Sequence, residues 1–126
     1  MNPLINPKAN ERGELTLQVG DDVLHMKLTF GTVMRLESSL DKSMLAVSQE
    51  FAARTPRITD VVAVIWSALI GAKQKNRATG EDYTLNEVGD IAEVVGLPQL
   101  MIHAGTLVAA YLSGGKSAAQ VTEGKA

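Results

Sequence analysis

The chain has 126 residues, 14 acidic against 12 basic, with 45% hydrophobic content and no cysteine. That is the length of one domain, apolar enough for a core without staples, and too near neutrality to offer nucleic acid or an anionic membrane a general field. Disulfides and thiolate metal sites are excluded, and the first residues lack the cationic-then-apolar order of a signal peptide, so a cytoplasmic protein is expected.

Residues 1–12 read as an extended arm. Pro3 and Pro7 block regular pairing, and Leu4 and Ile5 are its only sizeable apolar residues. A hairpin over 14–29 follows. Leu15, Leu17 and Val19 alternate with polar residues, and so do Leu24, Met26 and Leu28, which is the period-two pattern of a half-buried strand pair. Pairing Val19 with Leu24 would leave Asp21-Asp22 as the turn. Such a hairpin is marginal alone and must lie on helices.

The first helix is expected over 30–39 behind Thr29 as N-cap, with Phe30, Val33, Met34 and Leu40 inward and Arg35 and Glu37 in solvent. A second runs over about 42–54, with Met44, Leu45, Val47 and Phe51 inward, and Pro56 ends it. The chain is organised around the third, 60–72. Val61 to Ala72 carries no charge, too short a run to cross a bilayer and long enough for a buried helix. Thr59 suits its N-cap, and Asp60, Ala63, Ser67 and Gly71 form a small-residue face open to close approach. Trp66 is expected to be largely buried against Leu69 and the hairpin.

Residues 73–82 form the main interior loop. Thr84-Leu85-Asn86-Glu87 then spells a capping box, with Tyr83 and Val88 placed as a hydrophobic staple. This opens a helix over 85–95 that Gly96 stops, with Glu87, Asp90 and Glu93 on its outer face. Pro98 suits the first turn of the last helix, 98–113, which carries an apolar stripe from Leu100 to Leu112. Residues 13–113 thus read as a single globular domain of α+β class, mostly helical, an N-terminal β-hairpin packed on about five short helices. Residues 114–126, small and polar, read as a disordered tail.

Chemistry is sparse. His25 and His103 have no partner at metal-ligand spacing. The three acids of the 85–95 helix have no histidine or second acidic helix beside them, so a solvated face is the simpler reading. Gly114-Gly115-Lys116-Ser117 lacks the leading glycine of a phosphate-binding loop, since Ala110 stands there, and it follows a helix. No catalytic residue, cofactor site, metal site or small-molecule substrate is expected. Arg54, Arg57, Lys73, Lys75 and Arg77 gather at the two ends of the central helix, but acids interleave and only Tyr83 could stack a base.

Several segments carry a family likeness. They are Arg12-Gly13-Glu14-Leu15 with the strands after it, Leu28-Thr29-Phe30-Gly31 leading to Leu36-Glu37, Thr59 to Trp66, and Leu85-Asn86-Glu87-Val88-Gly89. In this order they resemble the phage-tail proteins of the gene transfer agent tail-assembly family, over about residues 12–112. That family is described as a tail tube protein or as a tail assembly chaperone. The resemblance implies a protein that helps build a siphophage-like tail, in the host cytoplasm or in the virion, and it carries no catalytic residue. A chaperone that binds tape-measure or tail tube protein is the first expectation, because tube subunits close rings by sheet pairing and only two strand patterns occur here. A structural tube component is the alternative, and a small nucleic-acid-binding regulator a third.

One surface invites a partner. The last helix has no charged residue from Pro98 to Ser113, even on the side away from its stripe. Gln99, Ile102, His103, Thr106 and Ala110 are therefore the expected partner-binding residues, facing a tail protein or a second copy, with Ile102 as anchor. The competing expectation is that the N-terminal arm or the first helix covers that side.

Overall fold

The computed structural model describes residues 6–72 and 83–114. The expectations for residues 1–5, for the loop 73–82 and for the tail beyond Gly114 fall outside them. The elements run β1 (Leu15–Val19), β2 (Asp22–Met26), α1 (Phe30–Leu40), α2 (Met44–Ala52), α3 (Ile58–Gly71), α4 (Leu85–Val95) and α5 (Leu97–Leu112). Helix makes up 62% and strand 10% of the described residues, the α+β, mostly helical class that the patterning implied.

The hairpin is antiparallel, but its register differs from the expected one. Leu15 faces Met26, Leu17 faces Leu24 and Val19 faces Asp22, so the turn is Gly20-Asp21. Gly20 alone takes a positive φ there (60°), as the first turn residue of a type II′ hairpin does. A shift of two residues preserves the buried face, which is why alternation could not detect it. Leu15, Leu17, Leu24 and Met26 all lie in the core.

α3 is the axis of the molecule. Val61, Val64, Ile65, Ala68 and Leu69 are sealed, and α1, α4, α5 and β2 all pack on this helix. Its small-residue face turns toward α1: Ala63 and Ser67 line a small cavity together with Thr32 and Leu36 of that helix. Strand β2 docks on the same helix further along. The Lys27 amide donates to the Ala68 carbonyl (2.9 Å), and the Lys27 carbonyl lies so close to Gly71 that a β-carbon there would overlap it.

Several sequence expectations are corrected. In α1, Phe30 and Met34 are outside (74% and 59% exposed), and Thr32, Val33, Leu36 and Leu40 form the inner face. In α2, Leu45 is exposed while Met44 and Val47 are buried. α2 is shorter than expected, because Ser43 caps it (Ala46 N to Ser43 Oγ, 3.1 Å) and Glu37 Oε2 accepts from the Met44 amide at 2.7 Å. Glu37 is thus a cap on the next helix. α3 begins before Thr59, with Arg57 at the N-cap position and the Asp60 carboxylate accepting from the Arg57 amide (3.4 Å). Trp66 is half-buried, and its indole N–H donates to the Tyr83 carbonyl at 2.6 Å. That bond ties the central helix to the capping box of α4, where Thr84 N donates to Glu87 Oε1 (2.9 Å) and Glu87 N to Thr84 Oγ1 (3.2 Å).

Candidate interaction surface

A groove of about 610 Å³ runs between α2 and α5. Its floor on α5 is Met101, Ile102, Gly105, Thr106 and Ala109, residues three and four apart that share one face of a helix. Phe51 and Ser48 of α2 form the opposite wall. Phe51 lies over Gly105, whose missing side chain lets the two helices come close; a β-carbon at that position would stand 3.4 Å from Phe51 Cδ1. The Thr106 hydroxyl donates to the Ile102 carbonyl (2.9 Å), so it is satisfied within its own helix.

Arg54 supplies the only charged side chain among the described residues lining this groove. Its backbone is unusual. The Thr55 amide bonds the Glu50 carbonyl (2.9 Å) and the Arg54 amide bonds the Phe51 carbonyl (3.1 Å), the two bonds of a Schellman ending. The residue at the turn of that motif is normally glycine, yet Arg54 occupies it at φ 60°. An L-residue there costs about 1 kcal/mol or more.

The five expected partner residues separate. Ile102 and Thr106 line the groove and Gln99 is half-buried near it on α5. His103 and Ala110 are buried, 4% and 5% exposed, and do not line the groove. His103 Nδ1 has partners one turn back in either tautomer, since it lies 2.9 Å from the Gln99 carbonyl and 3.0 Å from Gln99 Nε2. Phe51 and Arg54 were missed as groove residues, since they belong to another helix and the turn that ends it, roughly fifty positions away, and no local pattern couples them to α5.

The basic cluster at the start of α3 has a structural task. Asp60 is fully buried, with Lys42 Nζ at 2.7 Å and Arg57 Nη2 at 2.9 Å. Lys42 also reaches Glu50 at 2.9 Å. Burial pushes the Asp60 pKa up, but the hydrogen bonds from Arg57 and Lys42 outweigh it and hold the carboxyl below its ordinary value. The same bonds raise the pKa values of Lys42 and Arg57. Arg57 is thus engaged by a neighbouring carboxylate. Lys73, Lys75 and Arg77 lie outside the described residues. Among the described residues no group of three histidines or acids is placed to hold a metal ion, and no single helix is long and apolar enough to cross a membrane.

The comparisons with known proteins give one result. A family model described as phage tail tube protein, GTA-gp10, matches residues 12–114, which takes in every helix and strand among the described residues. No curated protein and no solved structure matches the chain.

Proposed function

This chain belongs to the GTA-gp10 family of phage tail tube proteins, and from that premise we propose that it is a structural, tube-type component of the tail that assembles with copies of itself and with other tail proteins. The observation that carries this reading is the extent of the family match, residues 12–114, together with the printed description of the family. The groove between α2 and α5 is the contact surface in this reading. Ile102 is its apolar anchor, Thr106 its floor and Arg54 its charged lip. Its uncharged floor is the type of surface that receives an apolar segment.

A second reading has its own support. The described residues contain one hairpin of two five-residue strands, and 62% of them are helical. A wall built by sheet pairing draws on more strand than that. A tail assembly chaperone, binding tape-measure or tube protein through the same groove before the tail closes, fits this make-up.

Quantitative mass spectrometry of purified particles separates the two readings. A tube-type component is present in many copies per particle, whereas a chaperone is found in the cell lysate and missing from particles. The groove is tested by Ile102→Lys with Thr106→Glu. The double variant keeps its circular dichroism and melting temperature and loses self-association or capture of tail proteins. Early melting instead would make the groove floor part of the core and remove it as a contact surface.

A further inference from the structure

We propose that α2 is a hinged cover of the groove: it lifts from α5 as a unit on the left-handed turns at its two ends, and the bridge from Glu50 through Lys42 to Asp60 is the latch that holds it down. The opening is a property of the free protein. Only its consequence for binding rests on the groove being the contact surface.

Three observations carry it. The first is the backbone. Among the described residues, Asp41 (φ 56°) and Arg54 (φ 60°) are the non-glycine residues at positive φ, and they flank α2, one on each side. This conformation is disfavoured for L-residues, so leaving it at either turn relieves strain. Residues at element ends are also where hinges absorb a change of φ and ψ. The second is packing. Among the described elements α2 packs extensively on α5 alone, and it buries only Met44 and Val47. α4 buries as few side chains, but α3, α5 and β1 brace it together. The α2 contact includes Phe51, half-buried over Gly105.

The third is charge. Glu50 is the one charged side chain of α2. Both of its carboxylate oxygens accept from Lys42 Nζ (2.9 and 3.1 Å), and the same ammonium donates to Asp60 of α3 at 2.7 Å. The link therefore fastens α2 to the start of the central helix, on which it has no extensive packing. Water reaches the bridge, since the Glu50 and Lys42 side chains are 34% and 20% exposed. Its strength is that of a partly exposed ion pair, enough to bias the cover and too little to lock it.

Once lifted, α2 is a helix of nine residues, shorter than the about 12–15 residues at which an isolated helix becomes marginal in water. It unravels, and its amides exchange with solvent. Phe51 leaves Gly105, and the uncharged face of α5 is uncovered. A tail protein that binds this uncovered face has an apparent affinity scaled by the open fraction, so the latch tunes binding without touching the partner.

Native-state hydrogen exchange of the full chain, followed amide by amide in increasing urea, tests the proposal. In the parent, the amides of Ser48 to Ala52 are expected to exchange as a block, sooner than the α3 amides and with a shallower urea dependence, as for a local opening. Glu50→Met cuts the latch and keeps a good helix former. It is expected to speed the α2 block about five-fold, the scale of one partly exposed ion pair. Thr84→Ala, at the cap of α4, lowers the stability of the whole fold; it should speed the α3 amides and leave the α2 block at its parental rate. Three results would each overturn the proposal: α2 amides that share the rate and urea dependence of α3, parental α2 rates in Glu50→Met, or α2 rates that rise with those of α3 in Thr84→Ala. The chain is measured by itself, so an α2 that opens only with the whole fold removes the hinge and leaves the tail reading standing. Particle composition decides that reading without bearing on α2.

Discussion

Asp60 holds the start of the central helix, and its replacement is the sharpest test of how the fold is fastened. The side chain is fully buried, yet its cationic partners are not: the Lys42 side chain is 20% exposed and that of Arg57 59%. Removing one member of a buried ion pair costs about 3–5 kcal/mol. Water reaches both cations here, so the loss falls at the lower end, about 3 kcal/mol for Asp60→Ala. For a domain of this size that lowers the melting temperature by about 10 °C. Asp60→Asn keeps the shape and one acceptor for the Arg57 amide, and it should lose less. The pH dependence has a definite sign. A carboxyl held below its ordinary value of 3.8 adds stability that is present above that value and is lost as pH falls through the lower, folded one. Urea denaturation at pH 7 should therefore separate parent from Asp60→Asn, and the gap should narrow below about pH 4. A gap that stays constant down to pH 2.5, or equal midpoints at pH 7, would refute the account of Asp60 as a charge clamp.

Three further outcomes are expected. Thr84→Ala removes the hydroxyl that accepts from the Glu87 amide and should cost about 1 kcal/mol in chemical denaturation; an unchanged midpoint would count against the capping box. Trp66→Phe deletes the N–H that bonds the Tyr83 carbonyl and should lower stability by about 1 kcal/mol; an equal melting temperature would show that the bond contributes nothing net. Gly71→Ala should be destabilising by about 1–3 kcal/mol, since the new methyl meets the Lys27 carbonyl, while Gly105→Ala, facing only the Phe51 ring edge at 3.4 Å, should be neutral or slightly stabilising because alanine favours helix. The order of the two glycine variants in a thermal melt is the measurement, and a reversed order would refute the docking of β2 on α3.

What was legible in the sequence and what was not follows from the range of the interactions involved. The α4 start was legible because its signal closes within four residues: Thr84 and Glu87 satisfy each other's amides. The hairpin face was legible and its register was not, since a slip of two residues leaves the same side chains buried. The start of α3 was missed because arginine is not a usual N-cap and Asp60, which accepts from the Arg57 amide, looked like an ordinary first-turn acid; its other partner, Lys42, lies eighteen positions earlier. In α1 the apolar residues mark two faces, Phe30 with Met34 and Val33 with Leu36 and Leu40; which one is inner depends on where α3 lies, and that is tertiary information.

The same logic separates family from function in this chain. The signals that placed it in its family are caps, hydrophobic spacing and small residues at close approaches. All of them specify how five helices and a hairpin pack, and the family match accordingly covers the packed elements. The groove is built differently. Ile102 and Thr106 were visible as an uncharged side of α5, but Phe51 comes from α2, Arg54 from the turn that ends it, and Asn6 from the arm. Arg54 stands in a left-handed position that glycine would fill without strain; among the described non-glycine residues Asp41, after α1, shares that conformation, and aspartate tolerates it better than arginine. A surface on which stability is set aside is where the chemistry of assembly should be sought. The test of that argument is Arg54→Gly, which should raise stability by about 1 kcal/mol through relief of the backbone while weakening association with tail partners; a variant that gains stability and keeps full association would leave the charged lip without a role.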